Sequence, residues 1–145
     1  MLPFCGYNMS DYFQHWLDVG AKIEAGGHKL PSIYCVNWFR KDEAGKFVWP
    51  GYGDNMRVLK WMIDRLEGQA QGQETIFGIT PNYAELNWTG LNFSADQFKT
   101  VTSIDKAAWQ QELQLHNTHF EQLAYNMPKA LLDTKAALAK RLAAV

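Results

Sequence analysis

Residues 33–66, IYCVNWFRKDEAGKFVWPGYGDNMRVLKWMIDRL, constrain the chain more than any other stretch, because aromatics, glycines, a proline and a helix start are crowded into one unit. Tyr34, Trp38, Phe39, Phe47, Trp49, Tyr52 and Trp61 fall within it, several beside Gly, Pro or a charged residue and off any simple core period. Such placement points to rings that line a cleft. Strand-forming residues make 33–39 a predicted strand, with Ile33, Cys35, Asn37 and Phe39 on one face and Tyr34, Val36 and Trp38 on the other. Residues 42–45, DEAG, have the Asp-first, Gly-last form of a type I turn. That turn returns Phe47, Val48 and Trp49 as the second arm of a hairpin and brings Phe47 close to Phe39. Pro50, Gly51 and Gly53 bend the backbone around Tyr52, and the glycines leave room for a ligand at that ring. A helix follows, capped by Asp54 or Asn55, with Leu59, Met62, Ile63 and Leu66 as its buried stripe and Gly68 at its end.

The remaining elements support that unit. Tyr12, Phe13, Trp16, Leu17, Val19 and Ile23 recur at helical spacing over 8–25, with Asn8 or Ser10 as cap and Gly26 and Gly27 as the stop. Residues 69–74, QAQGQE, read as a polar surface loop, and 75–92 as irregular chain with at most short strands. Ser94 and Gln97 have capping-box spacing for a short helix. A longer helix is predicted over 105–126, with Trp109, Leu113, His116, Phe120, Leu123 and Met127 as its packing face. Pro128 opens the last helix, through Leu131, Leu138 and Leu142.

A chain of 145 residues can bury a core. Its net charge of −1 offers no footprint for a polyanion, which argues against nucleic acid. No apolar run approaches the roughly 20 residues of a membrane helix, and the opening MLPFCGYN lacks the basic and apolar regions of a signal peptide. A cytoplasmic chain without membrane contact is the expectation. Cys5 and Cys35 match no metal or redox spacing and read as reduced thiols, Cys35 as a buried one. Glu112, His116 and His119 lie on one helix but lack a further ligand, so packing and surface roles explain them better than a metal. Asp11 and His15 read as a helix-surface pair, and the alternating charges of 40–46 as a solvated hairpin tip.

Taken from the residues alone, Phe39, Phe47 and Tyr52 form either a slot for a planar ring, with Asn55 at its edge, or an aromatic core in which Asn55 is only a helix cap. In the first reading the rings stack on a base without choosing it, and selectivity falls to the amide. Its carbonyl accepts from a ring N–H or amino group and its NH2 donates to a carbonyl oxygen, a pattern that suits guanine.

The runs VNWFRKDEAGKFVWPGYGDNMRVLKWM and PFCGYNMSDYFQHWLDVG resemble the C-terminal, guanine-binding end of GTP-dependent phosphoenolpyruvate carboxykinase, closely over about the first ninety residues and loosely over the tail. The resemblance implies that the aromatic positions matching Phe39, Phe47 and Tyr52 surround guanine, that Asn55 contacts its edge, and that Trp38, Gly53 and Asp54 belong to the same wall. Tyr52 stands where the family usually has Phe, and Asp54 where it usually has Glu. It also implies a helix-rich mixed α/β fragment: a guanine-binding segment over 1–68 with a short hairpin bearing the base pocket, irregular chain over 69–93, and a helical tail over 94–145. The implied activity of the whole enzyme, a gluconeogenic lyase, is conversion of oxaloacetate and GTP to phosphoenolpyruvate, CO2 and GDP with Mn2+ or Mg2+. The phosphate loop, the metal ligands and the oxaloacetate-holding residues are then upstream, in a catalytic domain of the same protein, and this chain alone is expected to be inactive, with no catalytic residue and no metal ligand of its own. A stacked base at about 1–3 kcal/mol plus a net hydrogen bond of about 1 gives roughly 2–4 kcal/mol, which is millimolar affinity or weaker. The competing class is a non-enzymatic binding or interaction module whose aromatics pack on a partner domain or small ligand.

Overall fold

The computed structural model describes residues 2–123 and 125–144, and the chain divides into two units, 1–31 with 105–145 and 32–104. Residue 124 of the predicted long helix and residue 145 of the tail lie outside the described residues. No described helix is long and apolar enough to cross a membrane.

The first unit is helical. Helix α1 (Met9–Ala25) begins where the Asn8 side chain accepts the Ser10 amide at 2.8 Å, and ends at Gly27, whose φ of 76° suits the left-handed conformation. Two further helices, Lys106–Gln122 and Lys129–Ala143, pack on one another; they become α4 and α5 in chain order below. The former is shorter than the predicted 105–126. Leu123 closes it, and Asn126 turns to φ 60°, a conformation that asparagine tolerates better than most residues. Pro128 is the cap of the last helix rather than its first residue, and Leu142 on that helix is fully buried. His116, assigned to the packing face, is exposed. Ser10 is also fully buried, and its hydroxyl donates to the Leu123 carbonyl at 2.6 Å. Ser10→Ala strands that carbonyl and is expected to cost about 1–3 kcal/mol in urea unfolding.

The second unit carries α2 (Asn55–Leu66), the antiparallel pair β1 (Gln73–Thr75) and β2 (Gly78–Thr80), and α3 (Ala95–Thr102); the helices of the first unit that follow are α4 and α5. The described residues form a helix-rich mixed α/β chain with one small two-stranded sheet. The predicted strand over 33–39 does not form. No described segment pairs beside it, and the Asn37 carboxamide accepts the Phe39 amide at 3.1 Å, turning the backbone at Trp38 and Phe39. Cys35 is consequently exposed, not buried. The turn over 42–45 is present: Gly45 N–H donates to Asp42 O at 2.9 Å, and a single antiparallel bridge joins Lys41 to Phe47. The hairpin is therefore a tight turn with one bridge, and the regular strands lie at 73–80, within or beside the stretch expected to hold at most short ones. Arg40 is not part of a solvated tip, since its guanidinium donates to Ser103 O at 2.6 Å and Ser103 Oγ at 2.8 Å.

Trp49, Trp61, Leu86 and Phe93 are the buried apolar residues of this unit. Trp88 stacks on Phe93 at 5.2 Å and on Tyr83 at 5.1 Å, while Trp49 meets Phe93 edge-on at 5.7 Å. The Ser94 and Gln97 capping box is formed in both directions. The predicted stripe of α2 is largely uncovered: Met62 is half-buried, but Leu59, Ile63 and Leu66 are exposed and Trp61 is the side chain that is buried. Helical period identifies a face, not what covers it, and Trp61 points instead toward the loop whose Gln71 carbonyl accepts its indole N–H at 3.1 Å.

Candidate functional site

The site is built on the turn between Trp49 and α2. Gly51 has φ 134° and ψ −171°, a conformation open essentially to glycine alone. It sends the chain into the 3-10 turn Tyr52–Asp54, which runs straight into α2. The Tyr52 ring thus stands away from the body of the unit and is 92% exposed. Gly53 has no such requirement, and a Cβ placed there meets nothing within 4 Å. Gly51→Ala is therefore expected to cost about 1–3 kcal/mol of stability. Gly53→Ala is expected to change it by less than about 0.5 kcal/mol in the same urea titration.

Trp38, Phe39, Phe47, Trp49, Tyr52 and Asn55 line one open cleft of about 740 Å3, together with Leu91, Asn92 and Phe93. That volume suits a small organic ligand. Phe39 and Phe47 meet edge-on at 6.0 Å, as the turn geometry predicts, yet both remain exposed, at 73% and 52%. These two rings and Tyr52 are not core. Trp38 parts from Phe39 and lies against Trp49 at 5.7 Å. Lys41 sits over the outer face of Phe47 at 5.1 Å.

Gly53 and Asp54 do not line the cleft. Asp54 holds the Arg57 guanidinium at 2.9 Å, and Arg57 also donates to the carbonyls of Asn87 and Thr89, tying the start of α2 to that loop. Asn55 does not cap α2. Asp54 occupies the cap position, and the Asn55 Oδ1 accepts the Trp49 indole N–H at 2.8 Å. The wall at 91–93 was missed in sequence because nothing in its local pattern marks it. The Trp49 contact had a signal, since a tryptophan that is buried needs an acceptor for its indole N–H.

Among the described residues no three His, Cys, Asp or Glu side chains converge on one point. The sequence GYGD also lacks the spacing and the Lys-Ser/Thr of a phosphate-binding loop.

An open cleft lined by aromatic rings at the start of a helix, in a helix-rich α/β unit, has the form that small-molecule sites commonly take. The model of the phosphoenolpyruvate carboxykinase C-terminal P-loop domain matches residues 1–141. Proteins named phosphoenolpyruvate carboxykinase [GTP] are similar to it: that of Anaeromyxobacter sp. (strain K) is 48% identical over 144 residues, covering 99% of this chain and 24% of that protein. That of Treponema pallidum (strain Nichols) is 45% identical over 98% of this chain and 23% of its own length, and that of Corynebacterium jeikeium (strain K411) is 41% identical over 99% and 23%. The chain belongs to the GTP-dependent phosphoenolpyruvate carboxykinase family. It spans about a quarter of the length of these relatives.

Proposed function

We propose that this chain is the guanine-positioning segment of a GTP-dependent phosphoenolpyruvate carboxykinase, in which the base of GTP or GDP lies in the cleft between Phe39, Phe47 and Tyr52 and its edge meets Asn55. The observation that carries the reading is exposure: three aromatic rings that a folded chain would ordinarily bury are held open around one cleft, with an amide on its wall. Gly53 and Asp54 act indirectly, Asp54 by fixing the start of α2 through Arg57. Trp38 supports the wall through Trp49.

In this reading the whole enzyme, a cytoplasmic lyase, decarboxylates oxaloacetate to an enolate, which takes the γ-phosphoryl group of GTP to give phosphoenolpyruvate, CO2 and GDP. Mn2+ or Mg2+ serves the reaction from ligands elsewhere in the polypeptide. This chain contributes position. Holding the base fixes where the γ-phosphate lies, and alignment of donor and acceptor supplies much of the rate of such a transfer. The catalytic part of the same polypeptide is the partner, and Met56, Leu59, Ile63 and Leu66, exposed along one face of α2, are the surface offered to it.

Asn55→Ala tests the reading. The variant is expected to lower the preference for GDP over ADP about tenfold, the worth of one well-made hydrogen bond, with an unchanged circular dichroism spectrum. An unchanged preference removes Asn55 from base recognition.

A further inference from the structure

A carboxamide at the edge of a purine is an ambivalent reader. Guanine presents an acceptor, O6, beside a donor, N1–H. Adenine presents a donor, the 6-amino group, beside an acceptor, N1. An amide with its NH2 at the first position and its carbonyl at the second fits guanine, and the same amide rotated by half a turn fits adenine. An amide discriminates between the two only where something fixes its rotation.

Trp49 supplies that constraint. Its indole N–H donates to Asn55 Oδ1 at 2.8 Å. An indole nitrogen has no acceptor capacity, so the rotated amide sets two donors against each other. The indole itself is held: Trp49 is 5% exposed and wedged against Trp38, Phe93 and Trp88 at 5.7, 5.7 and 6.5 Å. The amide nitrogen of Asn55 makes no hydrogen bond among the described residues, where only Glu85 Oε1 is both buried and unpaired, so that nitrogen is open to solvent. Asn55 lines the cleft. The second lone pair of Oδ1 is also left for a ligand, since Trp49 uses only one.

We propose that Trp49 is a positioning residue that locks the Asn55 amide in one rotation and thereby sets the choice of guanine over adenine. The inference rests on the reading of the cleft as a base pocket. Its test compares GDP and ADP affinities, by calorimetry on the full chain, for the wild type, Trp49→Phe, and a variant carrying β-(3-benzothienyl)alanine at position 49. The last keeps the bicyclic shape and replaces the N–H by sulfur, so it decides the matter should Trp49→Phe fail to fold. Trp61→Phe is the control, because that indole donates to the Gln71 carbonyl and its ring partner is Tyr34, not Trp49 or Asn55.

The expected result is that both position-49 variants bind ADP severalfold more tightly while GDP binding weakens, so that the GDP-to-ADP ratio falls about tenfold. Trp61→Phe keeps the ratio. A merely structural role weakens both nucleotides together and cannot raise ADP affinity. A wild-type preference for GDP that survives in the position-49 variants, or equal weakening of both ligands, overturns the role of Trp49 and leaves the base-pocket reading standing. A wild type that shows no preference overturns both.

Discussion

Phe39→Ala is expected to lower the affinity for GDP and for ADP alike, by about 5-fold to 150-fold, the range that follows from about 1–3 kcal/mol of stacking per base. The ring is 73% exposed and touches Phe47 only edge-on, so its removal takes one wall from the cleft and little from the packed interior. Because an aromatic face does not distinguish one purine from another, the ratio of the two affinities stays as it was. Paired calorimetric titrations with GDP and ADP, with a thermal melt of the same sample, check all three points. Loss of folding in the variant would return Phe39 to the core, and selective loss of GDP would give the ring a role in reading the edge.

Trp61→Ala has the largest expected effect on stability. The side chain is 3% exposed, its N–H is satisfied by Gln71 O at 3.1 Å, and Tyr34 meets its ring edge-on at 6.3 Å. Truncation opens a cavity and leaves that carbonyl without its donor, at a cost of about 3–5 kcal/mol. Such a loss is a large share of the roughly 5–15 kcal/mol that stabilises a typical domain. Urea unfolding followed by far-ultraviolet circular dichroism reads it as a lowered midpoint at an unchanged slope. A change below about 1 kcal/mol would show that α2 is held by other contacts, of which Arg57 to the carbonyls of Asn87 and Thr89 is the first to examine.

Local chemistry is what could be read in the sequence. The turn at Asp42 and Gly45, the approach of Phe47 to Phe39, the start of α2 next to Asp54 and the capping box of Ser94 with Gln97 each depend on residues a few positions apart, and each is present. Features that depend on a distant neighbour are not carried by the local pattern. Strand propensity at 33–39 is genuine, but a strand needs a partner, and Asn37 satisfies the Phe39 amide locally instead. Leu59, Ile63 and Leu66 do share a face of α2, but that face is left open while Trp61 is covered by the loop at Gln71. In the site itself, the aromatic side was legible from Phe39, Phe47 and Tyr52 beside their glycines. The contribution of Leu91, Asn92 and Phe93 was not, because about forty residues separate them from Tyr52 and no sequence period links the two.

The most direct test of the account is an NMR titration of the chain with GDP and, separately, ADP, following the backbone amides of 52–55 and the indole N–H signals. The account predicts shifts at millimolar GDP confined to 52–55, Phe39, Phe47 and the Trp49 indole, with far smaller shifts for ADP at the same concentration. Equal shifts with both nucleotides, or none with GDP on a folded sample, would contradict the assignment of this cleft to guanine.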